Sequence, residues 1–180
     1  NYERQEESGV YVDGQTYLPA TWVDANLNER FYWDANEEIL VYALPEEIVK
    51  SDETTVDEDG KKILYRDGDA VYLSLALIQK YTDVRLQAYD GEAQKRVFVE
   101  NNWDPVTVAD AAWSAKIRLR GGLKSPIVTE IKRGGTVTVL EQYDNWARVM
   151  TPDGHIGYMH KWKMKNLHEE TLKSDFTAPV

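Results

Sequence analysis

The chain contains no cysteine. That excludes disulfide frameworks, thiolate metal sites and a cysteine nucleophile together. Histidine is almost as scarce, with His155, His160 and His168 all late in the chain. No run approaches the roughly 18 consecutive apolar residues of a membrane helix, so no membrane insertion is expected within this segment. Residues 1–10 carry no basic-plus-apolar leader, and any signal or anchor is expected to lie outside them. A nucleophile elbow, a phosphate loop and a dinucleotide fingerprint are also missing. These absences point away from an enzyme, a cofactor or a metal centre.

What is present argues for folded structure. Hydrophobic residues make up 42% of the 180 and aromatics 11%, too many for a disordered chain. The net charge of −10 hides a division. Residues 1–112 hold 24 acids and 10 bases, whereas residues 113–165 hold 4 acids and 10 bases. A change of sign at that point predicts two units with different partners. Nucleic acid is not expected, because the basic patch is small and the whole chain repels phosphate.

The acidic half repeats itself at an interval of about 55 residues. One copy reads Asp13-Gly14, Tyr17-Leu18-Pro19, then Trp22, Val23 and Leu27, then Arg30-Phe31-Tyr32-Trp33. The other reads Asp67-Gly68, Tyr72-Leu73-Ser74, then Leu77, Ile78 and Tyr81, then Arg85-Leu86-Gln87-Ala88. Asp-Gly supplies a turn. Pro19 and Ser74 suit the start or cap of a helix, and the apolar residues that follow recur at helical spacing. Alternating strands come next, at Ile39–Tyr42 and Arg96–Val99. The unit is strand, helix, hairpin, and two copies sharing one core and one sheet give an α+β domain over residues 9–112. Residues 1–8 are expected to be a disordered or extended lead-in.

The turn-then-Tyr-Leu-Pro entry to a helix, with the strand pair after it, resembles the copper amine oxidase N-terminal-like domain of bacterial secreted proteins over residues 8–100. The family name implies no copper here, since this half has no histidine to supply imidazole ligands. Asp57-Glu58-Asp59-Gly60 has a faint look of a calcium loop, but Thr55 and Arg66 stand where acidic or amide ligands belong. An acidic hairpin tip explains it better.

From Trp113 the texture becomes short strands with turn punctuation, which predicts a small all-β barrel over 113–165. Lys116-Ile117-Arg118-Leu119-Arg120 alternates, placing three cations on one face and two aliphatics on the other. Thr136–Leu140 is β-branched and strand-like. Tyr143–Trp146 makes a bend and Asp153-Gly154 a hairpin turn. The order of Ile-Arg, Gly, Thr-Val-Thr-Val-Leu, Trp146 before Ala-Arg-Val, and Thr151-Pro152-Asp153-Gly154 before Gly157-Tyr158 resembles bacterial SH3-like domains. That resemblance implies binding of peptidoglycan peptides or other anionic wall polymers, or a spacer role beside a catalytic domain. Tyr158 stands where many relatives carry tryptophan.

A ligand groove would be built from aromatic area and cations, because rings give large contact at low entropy cost and arginine pairs with carboxylates and phosphates. The candidate binding residues are Tyr143, Trp146 and Tyr158, with Arg118 and Arg120 beside them. The competing reading gives Trp146 and Tyr158 to packing and the cations to a solvated strand face. The histidines have no Glu-containing helix to complete a zinc site. The carboxylate pairs Glu37-Glu38 and Glu46-Glu47 would face opposite sides of an extended chain.

The two resemblances in this order are similar to the region ahead of the catalytic barrel in secreted, chitinase-like (family 18) glycoside hydrolases. The Asp-x-x-Asp-x-Asp-x-Glu motif of that catalytic domain is absent. Residues 166–180 read as a linker toward a further, catalytic domain, which would be an intramolecular partner. The expected role is an extracellular or wall-associated targeting region. The alternative is a rigid spacer packed on that domain, with no ligand of its own.

Overall fold

Asp13 and Gly14 join β1 (Val10–Val12) to β2 (Gln15–Pro19), both at positive φ, 49° and 81°. Two successive positive φ values mark the hairpin turn whose twist matches its strands. The computed structural model describes residues 3–90, 95–172 and 176–178. The chain divides into two compact units, one centred on residues 4–87 and the other on residues 102–172, which also takes in the described residues of 88–98 and so most of the second repeat's last hairpin.

In the first unit, β2 leads straight into α1 (Ala20–Asn26), then β3 (Phe31–Asp34), β4 (Ile39–Ala43) and β5 (Ile48–Ser51). The second repeat runs β6 (Leu64–Asp67), β7 (Ala70–Ser74) and α2 (Leu75–Tyr81), followed by β8 (Arg85–Asp90) and β9 (Lys95–Glu100). Its turn is framed one residue later than in the first copy. Asp67 closes β6 opposite Ala70, and Gly68 and Asp69 form the loop.

The repeats meet through β2 and β7, with Leu18 opposite Leu73 and Tyr17 opposite Ser74, in a four-stranded sheet β1-β2-β7-β6. Each helix buries one stripe, Trp22 and Val23 in α1, Leu77 and Ile78 in α2. Ser74 caps α2 by accepting from the Leu77 N–H at 3.1 Å, whereas Pro19 precedes α1 without a side-chain cap. Asn28 ties the copies together, donating to the Tyr42 hydroxyl at 3.0 Å and to Thr82 Oγ1 at 2.9 Å. The rings of Tyr42 and Tyr81 stack with centroids 4.2 Å apart.

The expectation of one sheet shared by both whole repeats is corrected. Only the strands flanking the Asp-Gly turns share it, while β3-β4-β5 and β8-β9 form separate sheets. Each helix carries the chain off the shared sheet, and the strands that follow satisfy their backbone groups among themselves. With two seven-residue helices among the seven strands β1 to β7 that lie within residues 4–87, this unit is mostly β among the described residues. At the acidic tip, Asp57 Oδ1 accepts from the N–H groups of Asp59 (2.9 Å) and Lys61 (3.0 Å), so the carboxylate holds the turn.

The second unit contains β10 (Val106–Ala111), β11 (Ala115–Arg118), β12 (Ile127–Ile131), β13 (Thr136–Gln142), β14 (Trp146–Met150) and β15 (Ile156–His160). A 3₁₀ turn (Lys161–Lys163) leads into β16 (Met164–Glu170). All join one antiparallel sheet in the order β12-β11-β15-β14-β13-β10-β16. Ala109, Ile117, Ile131, Val137, Val149 and Met159 meet in a single core, so the sheet curls around it. At Gly157 a Cβ would lie 2.6 Å from Ile117 Cγ2 and 2.7 Å from the Arg118 carbonyl oxygen. Only glycine lets β15 cross β11 this closely.

Two strands extend past the span read as the barrel. β10 pairs with both β13 and β16, and β16 continues to Glu170. The first residues of the expected 166–180 linker are therefore strand.

Candidate functional site

Strand register assembles the outer surface of the second unit. β14 and β15 set Trp146 opposite His160 and Arg148 opposite Tyr158, while Ala147, Val149 and Met159 turn into the core. β11 places Arg118 opposite Tyr158, and β13 places Glu141 opposite Arg148. Residues directly opposed across strands share a face. The outer face therefore carries a row across four strands, Arg118, Tyr158, Arg148 and Glu141, with Trp146 and His160 beside it.

Tyr143 reaches this row from the β13–β14 turn. Its N–H donates to the Trp146 carbonyl at 2.8 Å, and the Tyr143 carbonyl accepts from Lys161 Nζ at 3.0 Å. Its ring stands 6.0 Å from that of Tyr158, tilted by 37°, and the residue is 46% exposed. The Tyr143 hydroxyl donates to Glu141 Oε2. That bond, with some desolvation and the neighbouring Tyr158, pushes its pKa up to about 12. Tyr143 is thus a neutral hydrogen-bonding group at any physiological pH.

Trp146 is half-buried and packs on Gly121, where a Cβ would fall 3.2 Å from Trp146 Cγ. Arg118 is partly anchored, its Nη1 donating to the Ser125 carbonyl at 2.8 Å. The expected five-residue alternation at 116–120 is corrected. The register against β12 shifts at Ile117/Arg118 and the strand ends there. Ile117 is fully buried, but Leu119 is 47% exposed. Arg120 lies in the following bend, its N–H donating to Ser125 Oγ at 2.8 Å. Lys116 and Arg118 share a strand face, and Arg120 does not join them.

The structure thus brings Tyr143, Tyr158 and Arg118 together, sets Trp146 alongside, and leaves Arg120 outside the strand row. Sequence reasoning passed over Arg148 and His160, both legible as same-face partners of Trp146 once β14 and β15 are paired. It also passed over Trp162. The indole of Trp162 is 63% exposed and meets His160 edge-on with centroids 5.7 Å apart; His160 in turn lies 4.9 Å from Trp146. The available signal was a tryptophan between two lysines, Lys161 and Lys163.

His155 is a structural residue. It is buried in the β14–β15 turn, where its N–H donates to Thr151 Oγ1 at 3.1 Å and its carbonyl accepts from the Thr151 N–H at 2.9 Å. Its Nδ1 lies 3.1 Å from Asp153 Oδ2, close in distance but outside hydrogen-bond geometry. Burial opposes ionisation of Asp153, but the contacts from Thr151 and His155 outweigh it and hold the carboxyl below its ordinary value. Among the described residues, no three His, Asp or Glu side chains converge as a metal site would require.

Residues 113–165 match the family model of the bacterial SH3 domain, a span that takes in β11 to β15 and the 3₁₀ turn. No curated protein and no solved structure matches the chain.

Proposed function

With a bacterial SH3 domain at residues 113–165 as premise, we propose that this domain binds a cell-wall polymer, either a peptidoglycan peptide or an anionic wall chain. The chain as a whole then serves as a non-catalytic targeting region of an extracellular or wall-associated protein. The observation that carries this reading is the outer row of Arg118, Tyr158 and Arg148, with the exposed Tyr143 ring leaning on it. Two phenol rings supply contact area, and the guanidinium groups suit carboxylates or phosphates. The basic balance of residues 113–165 adds attraction toward an anionic surface. The order of the modules, with residues 8–100 resembling the copper amine oxidase N-terminal-like domain, supports attachment to a secreted family 18 glycoside hydrolase.

Co-sedimentation of the chain with purified Gram-positive walls across a salt series tests the proposal. Retention that weakens with salt, and falls when Arg118 and Arg148 are both replaced by Ala, is expected. No retention at low salt overturns the wall-binding reading. Retention unchanged in the double variant removes the cationic face from it.

A further inference from the structure

A second surface of the same domain lies outside the row described above. Trp113 and Trp162 are 55% and 63% exposed, although each indole has a cation against it. The Arg133 guanidinium sits 5.3 Å from the Trp113 ring centre, and Lys163 Nζ sits 5.4 Å from that of Trp162. Ser114 binds the two pairs to one another. Its carbonyl accepts from Lys163 Nζ at 3.4 Å, and its Oγ accepts from the Arg133 N–H at 3.2 Å. The backbone reinforces this, since the Ala112 N–H donates to the Lys163 carbonyl at 2.8 Å. On the far side of Trp162 the rings continue through His160.

The three segments that form this band are residues 111–118, 131–137 and 159–166. They carry seven lysines and arginines, of which Arg118 belongs to the row above and Lys116 and Lys165 stand opposite Glu130 and Asp110 across the strands, leaving Lys132, Arg133, Lys161 and Lys163 to the band. Nothing in the core calls for two exposed indoles here, and burying such rings against a ligand is strongly favourable. A ligand for the band must offer apolar ring faces to the indoles. It must also carry a negative charge within about 5 Å of each face, because the cations sit that close to the ring centres. A sugar acid meets both demands within one residue. A polyol phosphate carries the charge without the face.

We propose that Trp113, Arg133, Trp162 and Lys163 form a binding strip for an acidic polysaccharide whose carboxylates are borne on its sugar rings. This rests on the wall-binding reading for its setting and names one class of polymer for the domain. Stacking of pyranose faces on the indoles orients the chain along the strip, and the cations pair with the ring carboxylates.

Affinity electrophoresis of the full chain tests this in gels containing polygalacturonate, neutral dextran, inorganic polyphosphate or oligo(dT). Polygalacturonate is expected to retard the protein most strongly, and dextran not at all. Trp113→Ala and Trp162→Ala should each weaken the interaction roughly fivefold, with an unchanged thermal melt because both indoles are exposed. Equal retardation by polyphosphate overturns the sugar-acid assignment in favour of simple charge. Equal retardation by oligo(dT) overturns it in favour of single-stranded nucleic acid. Undiminished binding by the Trp113→Ala/Trp162→Ala double variant removes the strip. Sedimentation with purified walls separates this failure from that of the broader reading. A chain that binds walls but not polygalacturonate sinks only the present inference, whereas one that binds neither sinks both.

Discussion

Replacing Gly157 by Ala probes how the outer row is held. β15 passes over β11 at this residue, and the added methyl would fall 2.6 Å from Ile117 Cγ2 and 2.7 Å from the Arg118 carbonyl oxygen. Ordinary contact between carbon atoms is about 3.5–4.0 Å. Neither neighbour can give way, because Ile117 is fully buried in the core and the other contact is backbone. Overpacking of this kind costs about 1–3 kcal/mol, and a backbone partner places the cost near the top, about 3 kcal/mol. Guanidinium unfolding followed by indole fluorescence measures the loss. Gly122→Ala is the control, since its methyl would meet nothing within 4 Å and should change stability by less than about 0.5 kcal/mol. Arg118 and Tyr158 flank the crossing, so the folded Gly157→Ala protein should also hold walls less well than the control does. If Gly157→Ala is as stable as Gly122→Ala, the close crossing is wrong.

Ser74 is fully buried and its hydroxyl accepts from the Leu77 N–H; Ser74→Ala should therefore cost about 1–2 kcal/mol in the same unfolding assay. An unchanged midpoint would remove the cap from the account of α2. The ring nitrogens of His168 face two acceptors, Nδ1 the Asn166 carbonyl at 2.7 Å and Nε2 the Glu170 carboxylate at 2.8 Å, and donation to them, in that order, raises its pKa from the ordinary value of 6.5. The fold therefore favours the protonated ring. This contribution is complete below the ordinary histidine pKa and is lost as the pH rises through the raised folded value. An NMR titration should place the His168 midpoint above 6.5, and Glu170→Gln should lower it.

Local chemistry made much of the fold legible. Asp13-Gly14 can turn in only a few ways, Ser74 suits a helix cap, and Thr136–Val139 alternates so that Val137 and Val139 face inward. Pairing between distant strands is where the reading ran out. Nothing within Val106–Ala111 says that its neighbours are β13 and β16 rather than the preceding hairpin. The polar face of β16 conceals a strand, because an edge strand paired on one side need not bury a side chain. Leu119 fits the alternation that begins at Lys116, yet the shift of register at Arg118 ends the strand before it. At the candidate site, residue types pointed to Tyr143, Tyr158 and Arg118. Arg148 became visible only once strand register set it opposite Tyr158.

The pairing of Val106 with Glu170 has a mechanical consequence. The chain enters β10 and leaves β16 at neighbouring points, about 5 Å apart as antiparallel partners are. The same 65 residues fully extended would reach roughly 200 Å. Folded, the module adds almost nothing to the length of a tether and hangs from it like a bead on a short loop. A load applied through these two ends falls first on the Val106–Glu170 pair and peels β16 from β10 rung by rung, instead of shearing every bond together.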